Sequence, residues 1–272
     1  MATFSAGMVF GPAGGTLLFA KWGFSAPFLA ASALQLLTLI VTVTMLPESR
    51  SKAELSEDHV GTKEILATFA NPRFSPILLQ KLALSLALYG WYIVIALYLK
   101  GQLGFDYVAT GRYFSLFAVI NVIVNVFGVG RASKGLGDAR MSIVGLAILI
   151  LAFCFTPFTH TPLTVSGVMI LFALGGAFAN NGINAQISNA ANEREQGTVL
   201  GVSSSLDSLS GILAPPLSTG VLSRYGSPYA GLASLVMAAI SLILGVRNIA
   251  AAPKAPTDIE PDPVTPPLQE VS

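Results

Sequence analysis

Charge is almost absent from eight stretches of this chain, each long enough to cross a lipid bilayer, and it returns in the short gaps between them. Residues 27–46 are the clearest case, uncharged throughout and closed abruptly by Pro47, Glu48, Ser49 and Arg50. Twenty helical residues at about 1.5 Å each match the hydrocarbon core of roughly 30 Å, and a backbone in lipid has to satisfy its own hydrogen bonds. The pattern predicts an all-α fold, a polytopic membrane helix bundle. The expected spans are 3–20, 27–46, 74–99, 108–130, 141–158, 163–186, 198–222 and 228–247. Their connections are mostly short, so sequential helices are expected to be antiparallel neighbours.

The composition points the same way: 53% hydrophobic, 11% charged and a mean hydropathy of +0.69 place the lipid bilayer around the chain. A net charge of +1, with no basic cluster interleaved with aromatics, excludes nucleic acid as a partner. Cys154 is the single cysteine and lies in an apolar run, which rules out an intrachain disulfide or a CxxC metal site. No HExxH, GxSxG, phosphate-binding loop or dinucleotide-binding glycine motif occurs, and His59 and His160 fall in loops on opposite sides. The chain therefore reads as no enzyme and no ATP-driven pump, with no cofactor and no metal. Energy for any transport has to come from an ion gradient or from the substrate's own.

Residues 47–73 are the longest polar interruption and read as a linker, within which Ile65, Leu66 and Phe69 suggest a short surface helix over 61–69. Residues 248–272 are Pro-rich and acidic and are expected to be a disordered tail. Lysine and arginine collect on one face: Arg50, Lys52, Lys63, Arg73, Arg131, Lys134, Arg140, Arg194, Arg247 and Lys254, against Lys21, Lys100, Arg112 and Arg224 on the other. The positive-inside bias puts the linker and the C-terminus in the cytoplasm. Plasma membrane and organellar membrane both fit.

In the first span Gly7, Gly11 and Gly15 recur every four residues, with Pro12 directly after Gly11. Such a bare stripe lets another helix approach closely, and the proline bends the axis. The whole string Gly7-Met8-Val9-Phe10-Gly11-Pro12-Ala13-Gly14-Gly15 resembles the fifth-helix motif of antiporters in the major facilitator superfamily, departing from it at Thr16. Leu46-Pro47-Glu48-Ser49-Arg50 is similar to the end of that family's sixth helix. The stretch from Ile120 through Asn121 and Asn125 to Gly130, Arg131, Gly137 and Asp138 resembles the eighth helix and the cytoplasmic gate loop of the drug/tetracycline-proton antiporter branch. Lys134 and Ala132 depart from that loop's pattern, and Asn125 stands where a glutamine is more usual.

This resemblance implies two six-helix bundles that rock about a central path, and it assigns the eight spans to helices five to twelve. Residues 1–46 become the last two helices of the N-terminal bundle, 47–73 the linker, 74–247 the six-helix C-terminal bundle and 248–272 the tail. Met1 then looks like an internal methionine, and the expectation is a fragment that does not transport by itself. The implied activity is proton-coupled efflux of a small organic molecule by alternating access, with that molecule and protons as partners. A non-transporting membrane scaffold of the same fold is the alternative.

Polar residues within the spans are the candidates for chemistry. Asp207 falls near mid-membrane, where an ionised carboxylate costs on the order of 2.5–3.5 kcal/mol on insertion scales. It either faces the cavity and exchanges protons or is capped by Ser203, Ser204, Ser208 or Ser210 for helix packing. Lys81, roughly two turns into its helix, either snorkels to the interface or lines the cavity. Tyr89, Trp91 and Tyr92 form an aromatic group suited to stacking on a planar or cationic substrate or to core packing. Asn121 and Asn125 share a helix face, as do Asn180 and Asn184, so each pair lines the same path or bonds a neighbouring helix. Pro215-Pro216 is expected to bend the penultimate helix, as a gate or as a static kink.

Overall fold

The computed structural model describes residues 11, 14–15, 17–45, 67–192, 195–226 and 229–251. Gly7, Pro12, the 47–50 motif, residues 61–66 of the expected surface helix, Arg194 and nearly all of the C-terminal tail lie outside them. All regular structure among the described residues is helical. Helix α1 spans Ser25–Met45 and α2 Ser75–Leu103. Helix α3, Tyr107–Ile123, continues through a π-helical segment, Val124–Val129, into α4, Gly130–Leu136. Then come α5 (Asp138–Phe155), α6 (Pro162–Ala190), α7 (Gln196–Tyr225) and α8 (Leu232–Ala251).

Six of these rods are long and apolar enough to cross a membrane: α1, α2, the α3–α4 rod, α5 with the turn that follows it, α6 and α8. Helix α7 has 30 residues, length enough to span, but its serines and Asp207 make it more polar. The surface fits the same solvent. Leu29, Val126, Phe127, Leu163, Ile212 and Ile243 are all at least half exposed, a distribution stable in lipid and costly in water. The protein is an integral, multi-pass membrane protein.

Helix ends follow local chemistry. Gly104 ends α2 at φ +65°, with the Gly104 and Phe105 amides bonding back to Lys100 and Leu99, a left-handed cap that glycine adopts without strain. Asp106 then caps α3 by accepting from the Ala109 amide at 2.7 Å, and Thr161 and Thr164 form a capping box at the start of α6. The expected 131–140 loop is corrected. The helix runs on to Leu136, and α5 starts at Asp138, so the connection narrows to Gly137. Its φ of +76° turns the chain in one residue.

Helix α2 is central, packed against α6, α7 and α8, while α5 and α6 form the closest pair and α8 also covers α5. The α5–α6 seam is made by glycines: a Cβ on Gly175 would stand 2.8 Å from the Gly145 carbonyl, and one on Gly182 would stand 2.7 Å from the Asp138 carbonyl. Such contact of backbones is how helices gain packing energy in lipid, where there is no hydrophobic drive to bring them together. Above the seam lies an aromatic core of Trp91, Phe153, Phe172, Phe117 and Tyr92. Helix α1 buries none of its residues.

Candidate functional site, an intramembrane ion pair and an asparagine ladder

Because the bundle helices alternate in direction, the N-terminal ends of α2 and α7 lie on the same side as the C-terminal ends of α6 and of the α3–α4 rod. Counted from those ends at about 1.5 Å per residue, Lys81 lies roughly 9 Å deep, Asn180 about 15 Å, and Asp207 and Asn125 about 16 Å. Four polar residues from four helices thus fall within one or two turns of the same depth.

The structure joins them. Lys81 Nζ lies 3.1 Å from Asp207 Oδ1 and donates to Asn180 Oδ1 at 2.8 Å. Ser85, one turn along α2 from Lys81, donates its hydroxyl to the same Asp207 oxygen at 2.5 Å. Lys81 is 2% exposed, whereas the Asp207 side chain is 33% exposed. Asp207 Oδ2 has no partner among the described residues, so the carboxylate is pinned by one oxygen and open at the other.

Next in sequence to Asn180, Asn181 points to a different helix, since adjacent helical residues are about 100° apart. Its amide nitrogen donates to Asn125 Oδ1 at 2.9 Å and to the Ala177 carbonyl at 2.8 Å. Asn125 donates in turn to the Asn121 side chain at 2.9 Å and to the Asn121 carbonyl at 2.8 Å. A polar ladder therefore crosses the bundle from Asp207 through Lys81 to Asn180, and from Asn181 through Asn125 to Asn121. Asn125 lies inside the π-helical segment, a geometry that recurs at functional sites because it re-aims side chains.

The packing chooses among the alternatives left open for several of these residues. Lys81 does not snorkel: its stem is buried and its ammonium is turned into the bundle. Asp207 is not capped by its neighbouring serines; Ser208 and Ser210 bond carbonyls of their own helix, and the cap comes from Ser85 of α2. Trp91 is 1% exposed and wedged edge-on against Phe153, a core residue with no free face for stacking. Tyr92 is half-buried, edge-on to Phe117 and Phe172. The open aromatic is Tyr89, 39% exposed and one turn from Ser85. Asn184, one turn from Asn180 on the same face, is half-buried and makes no side-chain hydrogen bond among the described residues, whereas Asn180 bonds Lys81. Ser85 and Asn181 escaped the sequence reading, although Ser85 is four residues from Lys81 and Asn181 adjoins Asn180.

The family model of the Major Facilitator Superfamily matches residues 1–215 and 114–270. The chain belongs to this superfamily. Among its relatives, the tetracycline resistance protein, class C, of Escherichia coli is 29% identical over 246 residues, covering 89% of this chain and 61% of that protein. Multidrug resistance protein 2 of Bacillus subtilis is 28% identical over 224 residues, 79% of this chain and 55% of that protein. Solute carrier family 22 member 18 of Mus musculus is 23% identical over 261 residues, 89% and 61%. The chain spans less than two thirds of the length of each. Membership of this superfamily excludes an enzyme.

The residues that resemble the superfamily's gate loop lie at the same end of the bundle. Asp138 accepts from Ser133 at 2.6 Å and from Asn189 at 3.2 Å, tying α4, α5 and α6 together. Arg131 turns back to the Phe127 carbonyl at 2.6 Å, and Gly130 is an ordinary helical residue at φ −63°. Arg73 pairs with Glu195 at 3.3 Å, bridging the starts of α2 and α7. Gly11 and Gly15 of the packing motif are helical, with no atom of a described residue near enough to touch an added Cβ.

Proposed function

We propose that this chain carries the proton-coupling machinery of a secondary active transporter that exports small organic molecules by alternating access, with Asp207 as the proton-carrying group and Lys81 as its fixed counter-charge. The observation that carries the reading is the Lys81–Asp207 pair, buried at one end and open at the other. A carboxylate with one free, accessible oxygen can take up a proton from a water-filled path, and the lysine beside it keeps the unprotonated state neutral in the membrane. The names of the tetracycline and multidrug resistance relatives support a small organic substrate. Tyr89, Asn184 and the Asn121–Asn125 pair are the groups we assign to the substrate side of the path. Residues 74–247 act as a complete six-helix bundle opposed to the one that ends with residues 1–46, with the linker and tail on the cytoplasmic side.

The test is proton-driven uptake of a fluorescent organic cation into inverted membrane vesicles from cells expressing the gene. Asp207→Asn is expected to abolish the response to an imposed pH gradient while leaving the protein in the membrane. Equal gradient-driven flux with Asp207→Asn rejects the assignment. No flux with any of a panel of organic substrates, from the whole open reading frame that contains this chain, favours the scaffold alternative.

A further inference from the structure

We propose that Asn180 is a positioning residue for Lys81: its side-chain carbonyl is the acceptor that keeps the Lys81 ammonium charged and in place while Asp207 carries a proton. This rests on Asp207 as the proton-carrying group. An ammonium has three N–H donors and no acceptor capacity, and at 2% exposure Lys81 has to find its partners within the protein. Among the described residues it has two, Asp207 Oδ1 at 3.1 Å and Asn180 Oδ1 at 2.8 Å.

The two partners matter differently in the two protonation states. With Asp207 ionised, the carboxylate supplies the counter-charge and Asn180 adds a dipole. Once a proton from the aqueous path binds Asp207 Oδ2, the counter-charge is gone, and the ammonium is left with the Asn180 carbonyl at 2.8 Å and the longer contact at 3.1 Å to Oδ1, an oxygen of a now neutral acid that also accepts from Ser85. Without the Asn180 carbonyl, a buried ammonium sheds its own proton rather than stay charged and unpaired. The pair then gains no net proton. Asn180 therefore decides whether protonation of Asp207 charges the site by +1 or is cancelled by its neighbour.

The surroundings leave this part to Asn180. The titratable side chains facing Asp207 are Lys81 and Tyr89 of α2. Helices α6 and α8, also packed against α7, bring no ionisable side chain to it among the described residues; Arg247 is confined to the last turns of α8. Ser85 is spent as a donor to Asp207. Asn180 is also held firmly, because Asn181 beside it is bonded to Asn125 and to the Ala177 carbonyl. The ammonium thus hangs from a backbone segment tied to α3 and its π-helical turn, which links the proton site mechanically to the other end of the ladder.

The test is the pH profile of gradient-driven ethidium transport in vesicles, read as the pH of half-maximal rate. Loss of the amide in Asn180→Leu destabilises the protonated pair more than the ionised one, so the midpoint is expected to fall by about one pH unit, equivalent to about 1.4 kcal/mol. A second carboxylate in Asn180→Asp shares the ammonium and frees Asp207 to hold its proton, so the midpoint is expected to rise by a similar amount. Asn180→Gln keeps the carbonyl and is expected to restore the original midpoint. Variants that lower the rate at an unmoved midpoint show a merely structural role and overturn the proposal. If Asn180→Leu fails to accumulate, the near-isosteric Asn180→Asp alone decides by the presence or absence of its upward shift. Asp207→Asn is run alongside: persistence of the pH response there defeats the parent reading, whereas its loss together with unmoved Asn180 midpoints defeats this inference alone.

Discussion

Lys81 and Asp207 each cost on the order of 2.5–3.5 kcal/mol to place singly at the centre of a membrane helix on insertion scales, and their approach to 3.1 Å removes the net charge that makes them costly. The penalty for breaking such a pair falls mostly on the partner left behind. Removal of one member from a buried pair typically costs about 3–5 kcal/mol, while replacement of both by apolar groups is often neutral. Lys81→Met is accordingly expected to lower the thermal unfolding midpoint of the detergent-solubilised protein, because Asp207 keeps its Ser85 bond but loses its cation. The double variant Lys81→Met with Asp207→Leu is expected to recover most of that loss and still to show no proton-driven transport. A double variant as unstable as the sum of the two single ones contradicts the coupling, since independent sites add. The pair is then a functional element whose ions can be exchanged for apolar side chains without loss of the fold.

At the scale of elements, the seam between α5 and α6 distinguishes glycines that the packing needs from glycines that it tolerates. Gly182 sits where a Cβ would press to 2.7 Å on the Asp138 carbonyl and 2.9 Å on the Ser142 amide, backbone atoms that move only if the helix moves. Gly167, on the same helix, has nothing within 4 Å of the equivalent position. Gly182→Ala is expected to cost about 1–3 kcal/mol, as overpacking does, and Gly167→Ala to be neutral or mildly stabilising, as better helix propensity implies. Thermal unfolding of the two variants in the same detergent checks the contrast, and equal midpoints refute it. The α3–α4 rod carries a related lesson. The sequence pattern stops that span at 130 and predicts a loop, because Arg131, Lys134 and two glycines have the composition of a turn. The helix nonetheless continues to Leu136, since each of those residues is tolerated in a helix and only Gly137 takes a backbone angle that breaks it. The π-helical segment was not legible either. Within it Asn125 meets Asn181 and Gly128 lies beside Phe178, both on α6, and such tertiary contacts are carried by no local pattern.

For the whole molecule, the features read most directly from the sequence are those that physics enforces everywhere along it. Long uncharged runs have to be helices in lipid, and the seven rods made by α1 to α8 lie over seven of the eight predicted spans, the first of which, 3–20, falls largely outside the described residues. The partners of each polar side chain were less legible, because helical spacing says which residues share a face but not which helix that face meets. Hence spacing pairs Asn180 with Asn184 although its bond is to Lys81, and of the two courses open to Lys81, the interface and the bundle interior, only the packing decides. Sidedness sits between these cases, since the excess of lysine and arginine is a statistical bias and not a contact. It makes a clear prediction, helped by Cys154 being the one cysteine of the chain. In a Cys154→Ser background, Gly135→Cys reports the face bearing the end of α4, and His160→Cys reports the opposite face between α5 and α6; both native positions are exposed. The positive-inside assignment requires a membrane-impermeant maleimide to reach Gly135→Cys from the cytosolic side and His160→Cys only from the other side of the sealed membrane. Labelling of both from one side contradicts the transmembrane course of α5. The reverse sidedness keeps the bundle but inverts it, and places the open oxygen of Asp207 nearer the non-cytoplasmic surface, so that protons driving the cycle reach the pair from the opposite compartment.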